Sequence, residues 1–172
     1  MFLLDVNILI NAHRTNQPRH HEFRKWLEGL ASSSQPFSIP IIVRSGFIRI
    51  ATNSRFYSPP TRLEEALTIL SDLMARPNFK EVHPGERHWP IFTDLCRKVQ
   101  AKGNLVADAY LAALAIEYGG EWITADQDYA KFPGLRWRHP LESTYGHGHP
   151  GHPSVHEPRR RYRARKRPLL KG

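Results

Sequence analysis

Four aspartates stand where water is not the obvious neighbour. Asp5 directly follows the apolar run Phe2-Leu3-Leu4. Asp126 stands in the same relation to Trp122-Ile123-Thr124, with Asp128 two residues further on. Ligands of open α/β sheets gather beyond the carboxyl ends of strands, so both places are expected on one edge of a sheet. Asp108 falls in the stripe 105, 108, 109, 112 and 116, positions that share a face at helical spacing. The other four are Leu105, Ala109, Ala112 and Ile116. An aspartate in that stripe is costly to desolvate unless something pairs with it, and a metal ion is one such partner. Carboxylate oxygens without a His or Cys among them suit Mg²⁺ or Mn²⁺, ions that activate water and neutralise charge in phosphate chemistry. Ordinary structural roles are open too: Asp5 and Asp126 as helix caps, Asp108 as the partner of a buried Arg such as Arg49. Each such role is plausible alone; the four placements together favour a site.

The elements that must position these residues are legible in coarse form. Phe2-Leu3-Leu4 reads as a buried parallel strand, followed by apolar residues with helical spacing from Asn7 to Ala12. A helix is expected from His20 to Leu30, with Phe23, Trp26, Leu27 and Leu30 on one face. Phe37-Ser38-Ile39 suggests a short strand, and Ile41 to Ala51 a buried helix with Ile42, Phe47, Ile48 and Ile50 inward, a strand being the alternative. Thr61 resembles an N-cap, with Glu64 completing a capping box ahead of a stripe of Leu63, Ala66, Leu67 and Leu70. Phe79 to Val82 is a candidate strand. A helix from Glu86 to Lys102 is expected to stop at Gly103, and a strongly apolar one runs from Asn104 to Tyr118. Glu121 to Thr124 is a strand, Asp126 to Phe132 a turn or short helix, and Leu135 to Trp137 a last strand. Strands alternating with helices predict an α/β layer fold around a mostly parallel sheet.

The chain has 172 residues and a formal charge of +9, but the charge is unevenly placed. Residues 143–172 carry eight basic residues and one acid, a net +7, whereas residues 1–142 carry 17 basic and 15 acidic, a net +2. One domain is therefore expected over 1–142. The Gly-, Pro-, His- and Arg-rich stretch 143–172 is expected to be a disordered basic tail, whose His147, His149, His152 and His156 suit only adventitious metal binding. No apolar run approaches the length of a membrane span. Phe2 to Asp5 lacks the features of a secretory signal, and the lone Cys96 fits a reducing compartment, so a cytoplasmic protein without membrane contact is expected.

Leu3-Leu4-Asp5-Val6-Asn7-Ile8-Leu9 resembles the opening motif of PIN-domain nucleases. Gly103-Asn104-Leu105-Val106-Ala107-Asp108-Ala109-Tyr110-Leu111-Ala112-Ala113 resembles the central helix of the VapC-type toxins, a PIN branch. Thr124-Ala125-Asp126-Gln127-Asp128-Tyr129-Ala130-Lys131-Phe132-Pro133-Gly134-Leu135 resembles their last motif, and Gly46 to Thr52 fits the helix between. The resemblance spans about residues 1–141. It implies a three-layer PIN-like fold and an Mg²⁺- or Mn²⁺-dependent endoribonuclease, the toxin of a VapBC-type pair. RNA is then the substrate, a VapB-type antitoxin the partner, and a homodimer the assembly. Carried over by position, Asp5, Asp108 and Asp126 are metal ligands, and Asp128 is a further ligand or acts through water. Asn7 orients Asp5, and Thr124 supports the same edge by hydrogen bonding. Arg49 either approaches RNA phosphate or balances the acidic cluster, the latter being favoured. His13, Arg14, His20 and His21 are expected at the surface. Many PIN nucleases carry a Glu where this chain has Gly46, which bears on a second metal.

Two competing readings remain in view. The first is a catalytically weakened RNA- or antitoxin-binding module, its chemistry reduced at Gly46 and its affinity supplied by the tail. The other takes Asp5 as a phosphoryl-accepting nucleophile, which calls for a second Asp two residues on, where this chain has Asn7.

Overall fold

The structure, a computed structural model, describes residues 1–142; the tail expected over 143–172, with its histidines, lies outside the described residues. Four short parallel strands form one sheet in the order β2-β1-β3-β4: β1 (Phe2–Leu4), β2 (Phe37–Ser38), β3 (Glu121–Ile123) and β4 (Trp137–Arg138). Phe2, Leu3 and Leu4 pair with Glu121, Trp122 and Ile123, and Phe2 and Leu3 pair on the other side with Phe37 and Ser38. Parallel pairing requires crossovers, and helices supply them. They are α1 (Val6–His13), α2 (His20–Ala31), α3 (Ile41–Ala51), α4 (Leu63–Met74), α5 (His88–Lys98) and α6 (Asn104–Glu117). α1 packs on α2 and α3, α3 on α4, and α5 on α6, which also lies against β3. The α/β class expected from the alternation is what forms.

Leu3, Leu4, Ile8, Phe37, Ile39, Phe47, Trp122 and Ile123 are fully buried and centre the core on β1 and its neighbours. Close packing reaches the backbone at Gly120: a Cβ there would lie 2.2 Å from Leu3 Cδ1 and 3.2 Å from the Met1 carbonyl. A side chain there would have to displace the tip of Leu3 and crowd the Met1 carbonyl where β3 begins beside β1.

Several expectations are corrected. Thr61 is no cap: α4 starts at Leu63 without a side-chain cap bond, and the buried Thr61 hydroxyl meets His13 Nε2 at 2.9 Å and the Arg14 guanidinium at 3.2 Å. Of the expected α4 stripe, Ala66 and Leu70 are buried, but Leu63 and Leu67 are 53% and 39% exposed, and Leu73 completes the buried face. Ile42 is exposed, because α3 turns Val43, Phe47 and Ala51 inward. The 79–82 strand shrinks to one bridge between Phe79 and Phe37. α5 ends at Lys98, four residues short, since Gln100 takes φ 50° and the Ala101 amide bonds back to the Cys96 carbonyl. Gly103, at φ 56°, opens α6 rather than closing α5. His20 is buried and His13 nearly so, packed edge-on against Phe47.

Candidate active site

The carboxyl ends of β1 and β3 converge because the two strands are hydrogen-bonded neighbours. The Asp5 amide continues the ladder to the Ile123 carbonyl at 3.0 Å, and the Thr124 amide continues it to the Arg138 carbonyl at 3.1 Å. The next side chains along each strand are thereby delivered to one edge, as the apolar runs predict. Asp5 then turns the chain into α1, its Oδ1 accepting from the Val6 amide at 2.6 Å. Asp126 performs the same task for the one-turn 3-10 helix Gln127–Lys131, accepting from the Asp128 amide at 2.8 Å. Capping and a place in the site coexist in both residues.

Asn7 and Thr124 stitch this edge together. Asn7 Nδ2 donates to Asp5 Oδ2 and to Thr124 Oγ1, each at 2.9 Å, while its Oδ1 accepts from the Ala125 amide at 3.1 Å. The fully buried Thr124 hydroxyl donates to Asp5 Oδ2 at 2.6 Å and accepts from the Asp126 amide at 3.0 Å. Asp5 thus receives three donors and keeps one lone pair of a carboxylate's four or so unspoken for.

Burial pushes the Asp5 carboxyl up to about 6; the bonds from Thr124 and Val6 hold it down in part, while the nearby charges of Asp108 and Asp126 raise it further. Asp108, half-buried on α6, is raised in the same way by burial and then by Asp126 and Asp128, with Tyr129 and Lys131 pulling the other way. Carboxylates from three separate elements therefore share one electrostatic neighbourhood, in which the ionisation of Asp5 and of Asp108 is opposed.

Asp128 is half-exposed and engaged by Lys131 at 2.6 Å. Arg49 sits apart, on the exposed side of α3 in a shallow groove with Leu67, Leu70 and Met74. Neither a hydrogen bond nor an ion pair joins it to Asp108; the nearest balancing cation is Lys131, which sequence reasoning passed over. Tyr129 was missed as well. Its hydroxyl donates to Asp108 Oδ1 at 3.5 Å, yet in the sequence it reads as one more core aromatic.

The donor set suits a hard divalent cation: oxygen ligands only, mutually repelling, with Oδ2 of Asp108 and of Asp126 free of hydrogen bonds among the described residues. They are not drawn into a finished cage, since among the described residues no three His, Cys, Asp or Glu side chains are already placed as a closed ligand set. Gly46, the position of the acid found in many PIN nucleases, faces α1. A Cβ there would meet only Val6 Cγ2, at 3.6 Å.

Comparison with known proteins shows the family. The PIN domain family matches residues 2–135. The VapC ribonuclease Mb2897 of Mycobacterium bovis is 44% identical over 142 residues, covering 83% of this chain and 97% of that protein. Ribonuclease VapC31 of Mycobacterium tuberculosis is 37% identical over 136 residues, covering 79% and 96%. Among solved structures, VapBC2 from Rickettsia felis bound to a DNA fragment from its promoter superposes with a TM-score of 0.60 at 18% identity, over 80% of this chain and 97% of that one; at that identity the likeness is one of fold. No helix of the described residues is long and apolar enough to cross a membrane. With its motifs in order along one sheet edge and its sequence shared with named relatives over nearly their full length, the chain belongs to the PIN-domain family, in the branch of the VapC ribonucleases.

Proposed function

We propose that this chain is an Mg²⁺- or Mn²⁺-dependent endoribonuclease and the toxin of a VapBC-type pair. One observation carries the reading: carboxylates from three elements meet on one edge, where Asp108 and Asp126 act on Asp5 and raise it, and Asp126 raises Asp108. Such a cluster is unfavourable as a purely structural device and favourable once a cation joins it. Asp5, Asp108 and Asp126 are the ligands in this reading. Asn7 and Thr124 hold Asp5 in one rotamer, and Asp128 adds negative charge at the rim. Bound there, the cation supplies an activated water and neutralises charge on the scissile phosphate. Arg49, exposed on α3 and without a hydrogen bond or ion pair to the carboxylates, is given no part in the chemistry.

The VapC relatives are named ribonucleases, which supports RNA as the substrate. The Rickettsia felis structure is a VapBC complex, which supports an antitoxin partner here, and a homodimer accords with the family resemblance. The test is cleavage of a mixed RNA pool with Mg²⁺ or Mn²⁺, with EDTA, and with Asp5→Ala and Asp108→Ala. Cleavage is expected only for the wild type with metal; cleavage that survives EDTA or Asp108→Ala would refute the reading. Growth arrest on induction, relieved by co-expression of the adjacent gene, tests the toxin role.

A second reading, a catalytically weakened RNA- or antitoxin-binding module, draws support from Gly46, where the acid of many relatives is missing. It predicts RNA binding without cleavage, strongly salt-dependent.

A further inference from the structure

The site's tethers are unequal. Asp5 receives three hydrogen bonds, Asp126 is fixed by the Asp128 amide, and Asp128 is held by Lys131. Asp108 has a single hydrogen bond to its side chain among the described residues, from Tyr129. Tyr129 is itself immobile: 2% exposed, with its ring 5.3 Å from that of Trp122 and 5.8 Å from that of Phe132. Core packing therefore sets where the phenol points. Its hydroxyl lies 3.5 Å from Asp108 Oδ1. A phenol keeps its proton at neutral pH, so the oxygen serves as the donor. Phenylalanine would fill the same apolar space; the hydroxyl has no packing role to explain it, and a buried hydroxyl needs a partner.

We propose that Tyr129 is a positioning residue for the cation site: by donating to Asp108 Oδ1 it sets the carboxylate's rotation and presents Oδ2 toward the cation shared with Asp5 and Asp126. The inference rests on the cation reading above. At 3.5 Å the bond is longer than the roughly 2.5–3.0 Å of a strong O–H···O pair, which suits a guide that orients a ligand without competing for it. Partners of this outer kind typically change metal affinity by about 10–100-fold when removed. A guide this long belongs at the lower end of that range.

The experiment titrates Mn²⁺ into the full chain by calorimetry for wild type, Tyr129→Phe, Tyr129→Leu and Asp108→Asn, alongside metal-free thermal melts of each. For Tyr129→Phe, which keeps the ring, Mn²⁺ affinity is expected to fall about tenfold while the metal-free melt stays close to wild type. The half-saturating Mn²⁺ concentration for RNA cleavage should rise by the same factor. Tyr129→Leu should lose affinity similarly and melt lower besides. Equal Mn²⁺ affinity in wild type and Tyr129→Phe overturns the positioning role alone, as does a lowered melt with unaltered affinity. Absence of Mn²⁺ binding by the wild type overturns it together with the cation reading.

Discussion

Replacing Asp5 by Asn should stabilise the metal-free protein at alkaline pH. Asp5 titrates near 3.8 when solvated and is pushed up to about 6 in the fold. An acid whose pKa rises on folding holds its proton more tightly in the native state. Native stability therefore falls as pH climbs from about 4 to about 6 and stays lowered above that. A shift of about two units corresponds to about 3 kcal/mol lost at pH 8. Asn removes that loss but serves the site less well. Val6, Asn7 and Thr124 all donate to Asp5, and an amide offers one acceptor oxygen and one NH₂ in place of two oxygens. The misfit costs about 1–2 kcal/mol. The variant should then be more stable than wild type by about 1–2 kcal/mol at pH 8 in EDTA, several degrees in Tm at about 2–4 °C per kcal/mol. At pH 4 the folded carboxyl is protonated and the unfolded one about half so, most of the loss is gone, the misfit dominates and the order reverses. Saturating Mg²⁺ should raise the wild-type Tm, by about 2.7 kcal/mol at a hundred times Kd, and leave the variant where it was. Denaturation curves at pH 4, 6 and 8, with and without Mg²⁺, decide the matter. A difference between the two proteins that does not vary with pH would refute the assignment of Asp5 as a desolvated, mutually repelled carboxylate.

Gly120→Ala should destabilise by about 1–3 kcal/mol, read as an earlier urea midpoint, because its methyl would overlap Leu3 Cδ1 and crowd the Met1 carbonyl. Gly46→Ala should stabilise by about 0.5–1 kcal/mol, as a helix-interior Gly with room for a Cβ. Gly46→Glu should bind Mn²⁺ several-fold more tightly, about the effect of one added carboxylate; unchanged affinity would place position 46 outside the site. His13 is held below its ordinary pKa, first by burial, with Arg14 and His20 adding to this and Glu65 opposing. The unfolded chain therefore takes up that proton first as pH falls below about 6.5, and stability drops. His13→Gln should flatten the decline between about pH 6.5 and 5 in thermal melts, and an unchanged slope would contradict it.

The aspartates are legible in the sequence because each interrupts a pattern that burial dictates. Asp5 and Asp126 end apolar runs, and Asp108 breaks an apolar stripe. A polar residue in such a place needs a compensating partner, and that need can be read without coordinates. The errors share another cause. Thr61 looks like a cap because local chemistry favours one, but His13 and Arg14, nearly 50 residues away, take its hydroxyl. α5 breaks early because residues 99–103 must redirect the chain into α6, a requirement of the tertiary path. Charge alone suggests Arg49 as a partner for the acids, but α3 turns it to the exposed side of the helix. Tyr129 could not be told from a core aromatic, since only the third dimension shows where its hydroxyl lies.

The hydrogen bond between Asp5 and Thr124 joins positions 119 apart, across the pairing of β1 with β3. Closing so large a loop is among the slow steps of folding for a domain of this size. The first 100 residues of a growing chain hold Asp5 and Asn7 but none of the remaining carboxylates of the edge. If these residues carry the proposed activity, nuclease competence comes only with the completed sheet, late in the life of the nascent chain. In the proposed toxin role, this gives the cell that makes it an interval of safety during synthesis.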